Sequence, residues 1–413
     1  DPNSNTCGYP AEDIWRYKPG GYHPVQLGDT FSHGRYRILH KLGWGGSSTN
    51  WLVRDGLENR NVALKVSSAD VISREGPGEK RMLQALSTLP KSHPGHAHIV
   101  ALLDSFVVKG PNGAHSCLVL ELLGPSVFDT NFNIFMGYPF PASLAKKIAS
   151  QVLRGIDLLS RHGIGHGDLH TSNLAFKIPE IDRLSEKELL QLYSKPDTEP
   201  VKRKDGGPIG DQVPPYLVDA AHMADSVVRQ ALKTDPCVKM IDFSEAFLDK
   251  DPPERLRTSI TVRAPEVLFG DEFDRRVDLW ALGCMLFELA TAQLLFQSLS
   301  EQRIIAEILG AGIDDKRLPP RWQDKWHAVR PAREGEVGEY SGRTPHQWLE
   351  ECYTFHRPEL TTSAAATSTI EDLFSKSDLA DISRLMGKLM KFEPGERAEA
   401  CEVLDDAWFR GVS

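Results

Sequence analysis

The sequence predicts an α+β fold, with its strands gathered in the first third of the chain and helices over the remainder. Three observations carry that expectation. Asn61-Val-Ala-Leu-Lys-Val66 is a short apolar run of β-forming residues, and Ile99 to Phe106 and Ser116 to Leu123 read the same way. From Ser143 to His162 the period changes: Leu144, Ile148, Val152, Ile156 and Leu159 recur at helical spacing. At 413 residues, 40% hydrophobic and 25% charged, the chain has the composition of a globular protein of two or three compact units.

Charge and cysteine usage narrow the function classes. A net charge of -9 argues against nonspecific nucleic-acid binding and would tolerate a basic partner. Cys7, Cys117, Cys237, Cys284, Cys352 and Cys401 are scattered without a CxxC pair, which reads as free thiols in a reducing compartment and not as a zinc site. No secretory signal opens the sequence, and the absence of an initiator Met suggests a trimmed chain or an internal start. The most apolar run, 279–296, carries Glu288 and follows Asp278, so it is expected to be a buried core helix and not a membrane span.

The chemistry is concentrated in His166-Gly-Asp-Leu-His-Thr-Ser-Asn173. Asp168 and, five positions on, Asn173 are what phosphoryl transfer asks of one tight loop: a carboxylate for an incoming hydroxyl and an oxygen ligand for magnesium. A second carboxylate, Asp242 in Met-Ile-Asp-Phe-Ser, and Ala264-Pro265-Glu266 follow in the order of a kinase catalytic half. Here the chain resembles the eukaryotic protein kinases. That resemblance implies a bilobal fold, with a small antiparallel N-lobe sheet and a larger, mainly helical C-lobe. Residues 1–31 would be an N-terminal arm, 32–123 the N-lobe and 124–413 the C-lobe, with 178–238 an inserted spacer.

In chain order, Lys18-Pro-Gly-Gly-Tyr-His-Pro-Val25 and Lys41-Leu-Gly-Trp-Gly-Gly-Ser-Ser-Thr-Asn-Trp-Leu52 are similar to the domain entry and glycine-rich loop of the SR-protein kinases. Gly43 and Gly45 lack Cβ atoms, so backbone N–H groups there can close over phosphates. Two departures stand out: the third loop glycine is Ser48, and the apolar residue expected to cover adenine is Asn50. Lys65 is the one charge in its strand and demands a buried partner. Glu79 fits, with Met82, Leu83 and Leu86 forming the apolar stripe of its helix, and Glu75 is the competitor. The resemblance assigns ATP contacts to Leu42, Gly43, Gly45, Gly46, Ser48, Asn50, Ala63, Lys65, Leu120, Glu121, Leu123 and Ala175, with Glu121 and Leu123 at the hinge.

In the second lobe the family's arginine before Asp168 is Gly167, and its lysine two positions after is His170. Losing the arginine implies activity independent of a phosphorylated activation segment. A histidine would stabilise the transferring phosphoryl less than a full cation. His-Gly-Asp-Leu-His-x-x-Asn also resembles the aminoglycoside and choline phosphotransferases, but Ala264-Pro265-Glu266 and Asp278-Leu-Trp-Ala-Leu-Gly-Cys284 favour a protein kinase.

Between Asn173 and Asp242 lie 68 residues, whose Pro/Gly-rich tract Ser194 to Pro215 is expected to be a mobile loop. The SR-protein kinases carry a spacer at the same point. Ser259 stands where the family has a hydroxyl bonding the catalytic aspartate, and Arg397 matches the late arginine that pairs with Glu266. The stretch 317–358 is similar to an insert of that branch.

The reading is therefore a serine/threonine protein kinase using ATP and Mg²⁺. Asp168, Lys65, Glu79 and His170 are the catalytic set; Asn173 and Asp242 are the metal ligands. The expected partner is a protein substrate, basic and Arg/Ser-rich by kinship alone, since Leu295 to Gln302 is nearly devoid of acid. A cytoplasmic or nuclear monomer is expected, without membrane attachment. The alternatives are a pseudokinase acting as a binding module and a small-molecule phosphotransferase.

Overall fold

The structure is a computed structural model that describes residues 5–8, 11–71, 78–312, 318–329, 344–355 and 372–411. Two compact units emerge. The first gathers Asp1–Thr88, Val100–Pro125 and Lys177–Lys233; the second gathers Leu89–Ile99, Ser126–Phe176 and Thr234–Ser413.

In the first unit a short strand β1 (Asn5–Thr6) precedes β2 (Thr30–Phe31), β3 (Tyr36–Gly45), β4 (Ser48–Asp55), β5 (Arg60–Ser67), β6 (Leu102–Gly110) and β7 (Gly113–Glu121). The last six form one antiparallel sheet in the order β2-β3-β4-β5-β7-β6. The strands predicted at 99–106 and 116–123 both exist, shifted by up to four residues. Alternation along β5 sends Val62, Leu64 and Val66 into an apolar cluster with Tyr36, Ile38, Trp51, Val53, Cys117 and Val119. The residues between them, Ala63 and Lys65, therefore face the other side.

The spacer does not behave as its composition suggests. The tract expected to be a mobile loop forms Thr198–Pro200, paired with Tyr216–Val218, and Lys202–Arg203, paired with β1. Val201 and Leu217 are buried against Tyr17 and Tyr22 of the arm, and Asn61 Nδ2 donates to the Leu184 carbonyl at 2.7 Å. Tertiary burial thus orders segments whose sequence has no period. The spacer, expected within the 124–413 lobe, is gathered almost entirely with the first unit.

The second unit is helical, built on Ala142–Arg161, Val277–Thr291 and Lys376–Leu389. Val277–Thr291 is buried on nearly all sides, with Trp280, Leu282, Phe287 and Ala290 fully enclosed. It is the core helix expected from 279–296, and no described helix is long and apolar enough to cross a membrane. Two short antiparallel pairs complete the unit: Leu174–Phe176 with Val238–Met240, and Ile164–Gly165 with Phe247–Leu248. Helices Pro320–Val329 and Pro345–Phe355 fall in the stretch 317–358, of which 317, 330–343 and 356–358 lie outside the described residues.

Candidate functional site

In the first unit, the register of β3, β4 and β5 sets Gly43 opposite Asn50 and Asn50 opposite Lys65, while Leu52, Ala63 and Leu120 line up one step along. Paired residues share a face, so Asn50, Ala63, Lys65 and Leu120 lie together on the side away from the buried cluster. A Cβ built at Gly43 or Gly45 meets no atom of the described residues within 4 Å. Helix Gly78–Ser87 buries Leu83 and Leu86, half-buries Met82, and carries Glu79 in its first turn. Lys65 Nζ lies 2.8 Å from the Glu79 carboxylate. The competing Glu75 lies outside the described residues.

At the end of β7, Glu121 is fixed by its N–H to the Ala101 carbonyl (3.1 Å) and by its Oε1, which accepts the Ala101 N–H (2.7 Å). The half-buried Leu42 and Ala63 pack with Leu39, Leu52 and Leu122 against spacer residues that include Ile178, Ile181, Ala221, Met223 and Ala231. No sequence signal pointed to that cover. Leu123 is half-buried, Gly46 is exposed at the hairpin tip, and Ser48 is buried beside it.

In the second unit, a single turn of 3-10 helix, Thr171–Asn173, folds the loop back on itself. The Asn173 amide donates to the Asp168 carbonyl (2.8 Å) and to Asp168 Oδ2 (3.2 Å), and lies 3.1 Å from His170 Nε2. Those contacts turn the Asn173 amide oxygen away from Asp168. The Ile241 N–H donates to the Asn173 carbonyl at 2.9 Å, so the pairing of Leu174–Phe176 with Val238–Met240 brings Asp242 beside Asn173 and the spacer between those strands loops out. Ala175 sits in that strand pair, opposite Lys239. Asp242 has a left-handed backbone (φ 59°), a conformation that Asp tolerates better than most residues, and accepts the Ser244 N–H at 3.3 Å.

Burial alone would raise the Asp168 carboxyl, but His170, 3.5 Å from Oδ2, and the Ser259 N–H, 2.9 Å from Oδ1, overcome it and hold the group below the usual carboxylate range. Ser259 corrects an expectation. Its backbone N–H, not its hydroxyl, meets Asp168; the hydroxyl lies 3.2 Å from Thr261 Oγ1.

Two carboxylates that the sequence reading did not assign to this loop support it. Asp278 accepts the N–H groups of His166 (2.6 Å) and Gly167 (3.0 Å), and burial raises its pKa. Glu288 accepts the Thr171 hydroxyl at 2.7 Å, and burial pushes its carboxyl up to about 7. The signal was present: two acids in an otherwise apolar helix need a reason to be buried.

Gly167 has φ 79°, and a Cβ there would sit 2.4 Å from the Glu245 carbonyl oxygen. An arginine cannot occupy this position without moving the backbone. The segment after Asp242 is held by its own unmodified residues: the Thr258 hydroxyl donates to the Gly167 carbonyl, Arg263 Nη2 to the Thr258 carbonyl (2.7 Å), and the Arg257 N–H to Glu245 Oε2 (2.9 Å). Farther off, Arg397 and Glu266 form a buried two-pronged pair, each N···O distance 2.6 Å.

The protein kinase domain matches residues 36–182 and 228–409, with its one interruption inside the spacer. The chain belongs to the protein kinase family. Among curated relatives, the serine/threonine-protein kinase SRPK of Physarum polycephalum is 35% identical over 297 residues, 68% of this chain and 66% of the relative. The protein kinase dsk1 of Schizosaccharomyces pombe is 30% identical over 364 residues, covering 69% and 65% respectively. SRSF protein kinase 3 of Homo sapiens is 40% identical over 166 residues, covering 40% of this chain and 29% of the relative. This kinase chain thus spans about two thirds of the first two relatives and under a third of the last. The SR-protein kinase resemblance and the bilobal α+β fold expected from the motifs both agree with these matches.

Proposed function

We propose that the chain is a serine/threonine protein kinase that transfers the γ-phosphoryl group of ATP to a protein hydroxyl. The observation that carries this is the contact of Asn173 with Asp168, joined through the Ile241 to Asn173 hydrogen bond to the backbone next to Asp242. A carboxylate and an amide oxygen are hard ligands, and the donor set fits Mg²⁺. Asn173 and Asp242 would hold the ion, which when bound neutralises charge on the phosphates. Asp168, kept ionised, orients the substrate hydroxyl and takes its proton as the new O–P bond forms and the bond to the departing ADP breaks. Lys65, steadied by Glu79, engages the phosphates, under the open glycines of the β3–β4 hairpin. His170 is a weaker stabiliser of the moving phosphoryl than lysine, so turnover is modest. No phosphorylation of the segment after Asp242 is required, because its tethers are already made.

The name of SRSF protein kinase 3 and the net charge of -9 support a basic, Arg/Ser-rich protein substrate, met in the cytoplasm or nucleus by a monomer. Incubating the chain with labelled ATP, Mg²⁺ and a degenerate serine/threonine peptide array tests the reading. Transfer to peptides, strongest with basic flanks, is expected. Transfer only to free amino alcohols or sugars, or nucleotide binding without any transfer, would overturn it.

A further inference from the structure

The tip of the β3–β4 hairpin, Gly45 to Ser48, is held by residues outside the hairpin. The Tyr22 hydroxyl donates to the Gly45 carbonyl at 2.6 Å, and the Ser68 N–H donates to the Ser47 carbonyl at 2.8 Å. Tyr22 itself has little freedom: the residue is 2% exposed, its ring meets Tyr17 edge-on at 5.6 Å, and the Arg16 guanidinium lies 4.6 Å from the ring centroid.

The arm that delivers Tyr22 is stitched to the chain just after β5. Ala69 and Asp70 donate backbone N–H groups to the carbonyls of Gly21 (3.0 Å) and Gly20 (2.7 Å), and the Gly20 N–H reaches the Asn112 carbonyl (2.8 Å). A Cβ at Gly21 would lie 1.7 Å from the Arg16 carbonyl oxygen, so this turn admits only glycine. Upstream, Glu12 is buried, pairs with the buried Lys41 of β3, and accepts the Tyr17 hydroxyl at 2.5 Å.

We propose that Tyr22 is a positioning residue for the nucleotide phosphates, acting through the hairpin tip; this rests on reading that hairpin as the phosphate loop. The peptide unit is planar and trans, so a Gly45 carbonyl held toward the arm turns the Gly46 N–H to the opposite side. The tip is thereby set before ligand arrives, and the ordering cost that a free glycine-rich turn would impose on binding is reduced.

Tyr22→Phe removes the hydroxyl and keeps the buried ring. In the full chain, backbone hydrogen exchange at Gly46 and Ser47 is expected to rise about five-fold, the effect of losing one hydrogen bond, with the amides of β5 and β7 unchanged. Calorimetry should give a Kd for Mg-ADP about five-fold weaker, and kinetics a raised KM for ATP with kcat within two-fold. Unchanged exchange at the tip, or equal Mg-ADP affinity in a wild-type chain that binds it, would overturn the proposal. A wild-type chain that takes no Mg-ADP would instead overturn the phosphate-loop reading, and the exchange data would still show whether Tyr22 tethers the tip.

Discussion

Asp278 holds His166: one carboxylate oxygen accepts the His166 N–H at 2.6 Å while the other takes the Gly167 N–H at 3.0 Å, so it grips the two residues just before Asp168. An amide offers one acceptor where the carboxylate offers two. Asp278→Asn therefore leaves one buried N–H facing another donor and lets the loop shift. Steady-state kinetics should show kcat lowered by about 100-fold, the scale of a displacement near 1 Å at a reacting centre, with Mg-ADP affinity within two-fold. An unchanged kcat would remove Asp278 from the account.

Gly167 is required by its backbone. Gly167→Ala places a Cβ on the Glu245 carbonyl and a side chain at φ 79°, costing at least roughly 1–2 kcal/mol from the left-handed conformation alone. Gly167→Arg, which restores the residue usual in the family, should be worse than alanine. Denaturant titration and turnover of both variants check this; higher activity in the arginine variant would contradict it.

Glu288 makes stability depend on pH near neutrality. Its folded-state carboxyl lies near 7, above the ordinary 4.5, so its contribution is fully present below 4.5 and is lost as pH rises through about 7. Glu288→Gln keeps an acceptor for Thr171 and does not titrate. Between pH 5 and pH 8 the variant should gain roughly 2–3 kcal/mol on the wild type, read as diverging Tm curves. Parallel curves would show that burial does not raise this group.

The Arg397–Glu266 pair predicts a rescue. Both side chains are essentially inaccessible, so Arg397→Met leaves an unpaired buried carboxylate and should cost roughly 3–5 kcal/mol. Removing both charges in Arg397→Met/Glu266→Met should recover much of that loss. A double variant as unstable as the single one would mean that the pair supplies packing that methionine cannot replace.

What was legible in the sequence depended on how local its cause was. Lys65, a lone cation in an apolar strand, announced its need for a partner, and the stripe of Met82, Leu83 and Leu86 oriented the helix bearing Glu79. The convergence of Asp168, Asn173 and the Asp242 backbone needed chain order and family pattern, because 68 residues intervene. Tertiary facts stayed hidden. Gly167 read as a lost arginine until its φ and the Glu245 carbonyl were seen. Ser259 was read through its hydroxyl when its N–H makes the contact. The spacer strands are only two or three residues long, too short to carry a period, and are ordered by burial against the arm and sheet.

The central claim is that Asp168 carries the proton and orientation chemistry while other residues hold the nucleotide. The most direct measurement sets wild type beside Asp168→Asn, recording phosphate transfer to a serine/threonine peptide and Mg-ADP affinity on the same preparations. Transfer should fall by at least about 1,000-fold, as loss of a positioned base together with hydroxyl orientation implies, with ADP affinity nearly unchanged. Equal transfer by the two proteins would contradict the account.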